Sequence, residues 1–238
     1  MVAGSLMVEE NGNYFNRFVW MSPDGSYVHY DKRHLFGLGS SKENEVFTAG
    51  TDRIMLKLKG WKICPMICYD LRFPVWSRNQ TEGYDLLVYT ANWPDKRSSH
   101  WRSLIPARAI ENLSYVIGVN RVGHDGNEIY YSGGSMCISP VGDVIYYKPE
   151  DEDLYTFTLN PKDLIQARET FPFLTPKNFN FTTNKSYLYC QIRIDDNIKN
   201  LYGPGVERKI LYTAYHNKNI SSHSLEKLGI ERADNFDH

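Results

Sequence analysis

One cysteine stands out as a candidate nucleophile because of the residues around it. Cys68 follows an apolar, strand-like stretch over residues 63–67, and Pro74 suits the first turn of a helix that starts just beyond it. A thiol at such a junction lies near free backbone N–H groups and the positive end of a helix dipole, which lower a cysteine pKa. We therefore predict that Cys68 is a nucleophile for amide or ester hydrolysis, acyl transfer or redox chemistry.

The remaining cysteines and the histidines do not indicate a second reactive site. Cys64, Cys137 and Cys190 are interpreted as small buried hydrophobic residues, the usual role of a lone cysteine. Four scattered cysteines are too few for a disulfide scaffold, so we expect a reducing, cytoplasmic setting. The four cysteines and seven histidines lack metal-ligand spacing, and we expect neither a metal nor another cofactor.

Composition restricts the kinds of partner that the chain can have. It has 238 residues, a net charge of −1 and 42% hydrophobic residues, which is ordinary for a globular protein. A near-neutral charge does not favour nucleic acid, and no apolar run approaches the ~20 residues of a membrane span. We expect a small-molecule substrate, with no nucleic-acid or membrane partner.

Apolar runs and periodicity predict the elements that would position Cys68. A helix is predicted over residues 98–112 with a kink or break at Pro106, and a shorter one over 164–168. Beyond about residue 181 the apolar periodicity weakens, and only 224–230 is predicted to be helical there. Strands joined to helices, with hairpins between them, indicate an α/β domain. The predicted strands cover residues 15–21, 26–29, 53–59, 63–67, 84–91, 115–120, 136–139, 144–147 and 154–159.

Motifs along the chain resemble, in order, those of the nitrilase or carbon–nitrogen hydrolase superfamily. The run Cys-Tyr-Asp-Leu-Arg-Phe-Pro at residues 68–74 resembles the nucleophile motif of that family. Further similar segments cover residues 30–36, 91–94, 107–112, 120–123, 133–135 and 139–142. The resemblance is greatest to the omega-amidase branch, which hydrolyses the terminal amide of short dicarboxylic acid monoamides. It implies a nitrilase-like α-β-β-α sandwich over residues 1–181, with residues 182–238 as an extension of unknown role.

The same resemblance implies roles for three catalytic residues. Cys68 would attack the amide carbonyl, release ammonia and leave a thioester that water hydrolyses. Lys32, together with the backbone N–H of Tyr69, would stabilise the oxyanion. Glu43 resembles a second glutamate of the family that orients the lysine and could relay a proton, and an ordinary loop carboxylate is the alternative interpretation.

Four residues are predicted to contact the substrate. Arg72 could bind a substrate carboxylate through a bidentate pair, and a structural ion pair with Asp70 is the alternative. Asn92 and Trp93 lie in a segment that resembles the strand end beside the family's pocket. Tyr69, which directly follows the nucleophile, completes the set.

One part of the family pattern is not found in this sequence. The family's general base is a glutamate in a Pro-Glu motif well before the lysine, whereas the Pro-Glu pair here lies at residues 149–150. The expected sandwich therefore lacks its first two βα units, and a non-catalytic fragment or pseudoenzyme is the alternative to an active hydrolase. A cysteine–histidine amidase or protease using His100 or His124 is a third interpretation. The resemblance also leads us to expect a homodimer.

Overall fold

Two β-sheets and the helices beside them make up the described part of the chain. The structure is a computed structural model, and it describes residues 2–37, 42–79 and 83–174. The predicted helix at 224–230 and the predicted extension at 182–238 lie outside these residues. No helix within the described ranges is long and apolar enough to cross a membrane.

The first sheet is an antiparallel meander at the start of the chain. Its strands are β1 (Val2–Glu10), β2 (Asn13–Met21) and β3 (Tyr27–Asp31), in that order across the sheet. The turn between β1 and β2 holds Asn11 and Gly12 at φ values of 53° and 78°. Asn-Gly is the pair that a type I′ hairpin turn favours, because both residues tolerate positive φ.

The second sheet supplies the strand ends around the candidate nucleophile. Its strands are β4 (Leu56–Leu58), β5 (Trp61–Ile67), β6 (Leu86–Ala91), β7 (Tyr115–Asn120), β8 (Val122–His124), β9 (Tyr130–Ile138) and β10 (Val144–Pro149). Across the sheet the order is β10-β9-β7-β6-β5-β4, and β8 pairs with β9 beside this path. Strands β5, β6 and β7 are parallel, so their carboxyl ends meet at one edge of the sheet.

Four α-helices lie in the described ranges: α1 (Glu43–Val46), α2 (Pro74–Ser77), α3 (Ser98–Asn112) and α4 (Pro161–Thr170). Helix α3 packs against β7 and β9. Its Trp101 is 1% exposed and donates a hydrogen bond of 2.8 Å to the carbonyl of Gly134. The predicted break at Pro106 is wrong, because α3 continues through it. Proline removes one helical hydrogen bond, and the buried face of α3 outweighs that loss.

The two sheets contribute to one hydrophobic core. Phe18 from β2 and Tyr30 from β3 are almost fully buried and belong to the same cluster as Met66 and Leu87 of the second sheet. Helix α3 adds Ile105 to this cluster. The predicted mixed α/β class is therefore confirmed.

Two predicted strands are mostly absent from the structure, and the strand predicted over 136–139 is longer, since β9 covers Tyr130–Ile138. The strand predicted over 53–59 is limited to Leu56–Leu58. The strand predicted over 154–159 is wrong, since these residues form no ladder beside β10. Leu154 is exposed and Tyr155 stacks on Tyr146 at 4.2 Å, so this segment is held by side-chain contacts rather than by strand pairing.

Candidate active site

Cys68 lies at the turn that directly follows β5. It begins a 3-10 helix over Cys68–Arg72, and α2 follows with Pro74 at its first position, as the sequence predicts. The φ angle of Cys68 is 43°, a left-handed conformation that costs a residue other than glycine about 1–3 kcal/mol. Strained backbone of this kind is concentrated at functional sites, which agrees with the choice of Cys68 as the candidate nucleophile.

The electrostatic environment of Cys68 differs from the expectation. Burial raises the pKa of its thiol above the ordinary value, and the positive charge of Lys32 only partly opposes that effect. The predicted lowering of the Cys68 pKa is therefore wrong, because desolvation outweighs the nearby positive charge. The Cys68 Sγ atom contacts the carbonyl oxygen of Asn92, at the end of β6, at 3.8 Å.

Lys32 and Glu43 form a buried ion pair. The Lys32 side chain is 3% exposed, and its Nζ atom donates a hydrogen bond of 2.5 Å to Glu43 Oε2. Glu43 also accepts hydrogen bonds of 2.8 Å from the side-chain amide of Asn16 and from the backbone N–H of Phe36. Three donors thus hold Glu43 in place, and Glu43 in turn holds the lysine ammonium.

Asp70 joins the lysine segment to the cysteine segment. Its carboxylate is completely buried and accepts hydrogen bonds from the Tyr30 hydroxyl, at 2.7 Å, and from the backbone N–H of Ile67, at 3.0 Å. The backbone N–H of His34 donates to the same carboxylate at 3.0 Å, and the His34 ring lies 2.8 Å from it. These contacts fix the position of the loop that follows β3 relative to the turn that carries Cys68.

One cavity brings together every residue that the sequence predicts for the site. Its volume is about 990 Å³, and part of its wall comes from β1. The predicted site residues in its wall are Lys32, Glu43, Cys68, Tyr69, Arg72, Asn92 and Trp93. Their chemical roles stay predictions, but their placement around one cavity is what those roles require.

Arg72 contacts aromatic and histidine side chains of this site. Its guanidinium lies 4.8 Å from the centre of the Trp93 ring and donates a hydrogen bond of 2.9 Å to His100 Nδ1. The alternative ion pair with Asp70 does not form, because the Asp70 carboxylate is engaged by the donors described above. Arg72 is therefore placed to meet a ligand in the cavity.

The two histidines of the third interpretation are engaged elsewhere. His100 accepts the hydrogen bond from Arg72, and the His124 ring packs against Tyr130 at 5.0 Å. Within residues 2–37, 42–79 and 83–174, Cys68 Sγ is hydrogen-bonded to a carbonyl oxygen and not to a histidine or a carboxylate. The same ranges contain no group of three or more His, Cys, Asp or Glu side chains placed to hold a metal ion.

Two residues that support or line the cavity were not identified as site residues from the sequence. Asn120 fixes the segment after β6 by accepting a hydrogen bond of 2.7 Å from the Trp93 N–H and donating one of 3.0 Å to its carbonyl. Arg97 places its guanidinium 5.0 Å from the centre of the Phe36 ring. Neither contact follows from spacing along the chain, since each joins residues 27 or more positions apart.

Comparison with known proteins identifies the class to which this fold and site belong. The family model for carbon-nitrogen hydrolases matches residues 1–169. The chain belongs to the carbon–nitrogen hydrolase family. The nitrilase-like fold predicted from the sequence is confirmed by its similarity to XC1258 from Xanthomonas campestris, a superfamily member. The two share 42% identity and a TM-score of 0.70 over 72% of this chain and 67% of that one.

Two curated relatives refine the comparison. The chain is 49% identical over 145 residues to omega-amidase YafV of Escherichia coli K12, a match that covers 61% of this chain and 56% of the relative. It is 35% identical over 175 residues to 2-oxoglutaramate amidase of Bacillus subtilis 168, covering 72% and 66%. The chain thus spans between 56% and 66% of the length of these relatives.

Proposed function

We propose that the chain is an omega-amidase-like hydrolase of short dicarboxylic acid monoamides. The observation that carries this proposal is the shared cavity of Cys68, Lys32 and Glu43, whose segments occur in the same order as in the family. The relatives named omega-amidase and 2-oxoglutaramate amidase support the choice of substrate class.

The proposed reaction proceeds through a covalent thioester on Cys68. The thiolate sulfur attacks the carbonyl carbon of the terminal amide, forming a C–S bond and placing negative charge on the carbonyl oxygen. Collapse of this intermediate breaks the C–N bond, and the leaving nitrogen takes up a proton to depart as ammonia. Water then attacks the thioester carbonyl, releasing the carboxylic acid and restoring the thiol.

The charge that develops on the carbonyl oxygen needs donors that are already in place. Lys32 supplies a buried ammonium held by Glu43, and the Tyr69 N–H would supply a second donor. The charge of Lys32 also favours the thiolate form of Cys68. Glu43 is assigned to positioning rather than to proton transfer from the thiol, because three donors already engage its carboxylate.

The wall of the cavity provides groups for the rest of a small substrate. Arg72 offers a positive charge beside the Trp93 ring, and Asn92 lies next to the nucleophile. A monoamide of a short dicarboxylic acid carries both an amide and a carboxylate, and these groups match the thiol and the positively charged side chains of the wall. Tyr69 and Trp93 would pack against the short carbon chain between them.

A non-catalytic binding protein is the second candidate. It is favoured by the hydrogen bond of the Cys68 thiol to a carbonyl oxygen, since none of the described carboxylates is bonded to the sulfur. Loss of a general base slows such reactions by about 10²- to 10⁴-fold. We therefore expect turnover by this chain to be slow.

Ammonia release from succinamate separates the two candidates. The chain should release ammonia at a rate that exceeds the uncatalysed rate, and Cys68→Ala should abolish the excess. Arg102→Gln, on the exposed side of α3, should leave the rate unchanged. A rate that stays the same in Cys68→Ala, or no release above the background, would rule out the hydrolase.

A further inference from the structure

Two arginines in the wall of the cavity have no acidic partner among the described residues. Among the lysines of the wall, Lys32 is paired with Glu43, and Lys42 with Glu45 at 2.9 Å, whereas Lys96 forms no ion pair with a described residue. Arg72 and Arg97 take part in none of the ion pairs in the described ranges, although arginine is the residue best suited to pair with carboxylates. The wall carries five lysine or arginine side chains and three carboxylates, Glu43, Asp95 and Glu128. This excess of positive charge beside a nucleophile favours an anionic ligand.

The backbone of Arg97 is fixed while its guanidinium keeps its donors free. The residue ends a 3-10 helix over Asp95–Arg97, and its carbonyl accepts a hydrogen bond of 2.7 Å from the Trp93 ring N–H. Its guanidinium lies against the face of Phe36 at 5.0 Å and donates no hydrogen bond within the described residues. An arginine stacked on an aromatic ring is held in orientation, yet its planar edge can still bind a carboxylate in a bidentate manner.

The position of Arg97 relative to the nucleophile follows from a chain of aromatic contacts. The Phe36 ring that carries Arg97 meets the ring of Tyr69 edge-on, with centres 5.0 Å apart. Tyr69 directly follows Cys68 in the chain. The Phe36 ring thus lies between the Arg97 guanidinium and Tyr69 of the nucleophile segment. Arg72 also lies in the wall, but its guanidinium donates a hydrogen bond to His100 Nδ1, whereas that of Arg97 donates none to a described residue.

We propose that Arg97 is a specificity-determining residue that binds the carboxylate at the far end of the substrate. The inference rests on the proposed function, because it assigns the group that selects monoamides with a free carboxylate. Its consequence is that the cavity discriminates against neutral amides of the same length. Losing a charge-assisted bidentate contact should weaken binding of the carboxylate by about 10- to 100-fold.

Binding measurements on a chain that cannot turn over provide the test. Calorimetric titrations of succinamate and of the neutral diamide succinamide into the Cys68→Ala chain give the parent affinities. Adding Arg97→Gln should weaken the binding of succinamate by about 10- to 100-fold and leave the binding of succinamide unchanged. Adding Arg97→Lys, which keeps the charge but not the planar fork, should give an intermediate loss.

Arg102→Gln is the matched control, because it removes the same charge from the exposed part of α3 outside the cavity wall. The Trp93 bond goes to the backbone of Arg97, so the Gln variant retains it, and circular dichroism checks the fold. The inference is overturned if the parent chain does not bind succinamate. It is also overturned if Arg97→Gln changes succinamate affinity by less than about twofold, or weakens succinamide equally.

The proposed function can fail without the inference failing. Binding that depends on Arg97, in a chain that releases no ammonia, would support the inference and refute the hydrolase. Ammonia release that depends on Cys68 but is equally fast from succinamate and succinamide would support the hydrolase and refute the inference.

Discussion

At the residue scale, the reactivity of Cys68 depends on the balance between burial and the charge of Lys32. Burial raises the thiol pKa and is the larger effect, whereas the ammonium lowers it. The thiolate is the reactive form, so alkylation of Cys68 should become faster as the pH rises toward a pKa above that of an ordinary thiol. A bound substrate would displace water from the thiol and add its own charge, and both changes would alter the Cys68 pKa.

Removing the charge of Lys32 tests this balance. Lys32→Met should raise the Cys68 pKa further, so that alkylation at neutral pH becomes slower and its pH midpoint moves upward. Iodoacetamide labelling of the Cys68 peptide, followed by mass spectrometry across a pH series, measures both. Lys57→Met, at an exposed position of β4, is the control and should change neither. A midpoint in the parent chain below that of an ordinary thiol would contradict the account.

Asp70 is the residue whose loss should cost the site most stability. Asp70→Asn places an amide NH₂ against groups that already donate to the carboxylate, so buried donors lose their acceptor. We expect the free energy of unfolding to fall by about 3 kcal/mol. Urea denaturation measures it, with the exposed Asp24→Asn as the control. A loss below about 0.5 kcal/mol would show that the network does not hold the two segments together.

At the scale of elements, the close fit of α3 on the second sheet positions the segment that precedes the helix. Gly118 of β7 faces α3 so closely that an added Cβ atom would lie 2.7 Å from Trp101 Cζ2 and 3.0 Å from Ile105 Cδ1. Since Arg97 immediately precedes α3, displacement of the helix would also move the cavity wall.

Gly118→Ala should therefore destabilise the chain by about 1–3 kcal/mol through overpacking. Thermal and urea unfolding measure the loss. Gly126→Ala serves as the matched control, because an added Cβ atom there meets nothing within 4 Å. Equal stability of the two variants would mean that α3 does not pack as described.

Elements with a strong local signal could be predicted from the sequence. The helix over 98–112 and the strand over 115–120 agree with α3 and β7, because an amphipathic face and a continuous apolar run are properties of the segments themselves. The segment 154–159 shows the limit of this reasoning. Its apolar character resembles that of a strand, but no neighbouring edge pairs with it, and pairing is a property of the whole sheet.

At the scale of the whole molecule, the site joins segments that are far apart in the chain. Lys32 follows β3, Cys68 follows β5 and Trp93 follows β6. These three residues therefore come together only when the chain is folded. The motif resemblance predicted which residues would meet, whereas the bonds of Asp70 and the stacking of Arg97 on Phe36 came from the structure. The homodimer, the cytoplasmic setting and the division at residue 181 stay predictions.

The most direct test of the central claim is intact-protein mass spectrometry of the chain quenched during reaction with succinamate. We predict an acyl adduct, with ammonia lost, that peptide mapping assigns to Cys68 and that Cys68→Ala removes. None of the described carboxylates is bonded to the Cys68 sulfur and so placed to act as a general base for the attack of water. Slow hydrolysis of the thioester should therefore let this adduct accumulate. Ammonia release without an adduct at Cys68, or an adduct that persists in Cys68→Ala, would contradict the account.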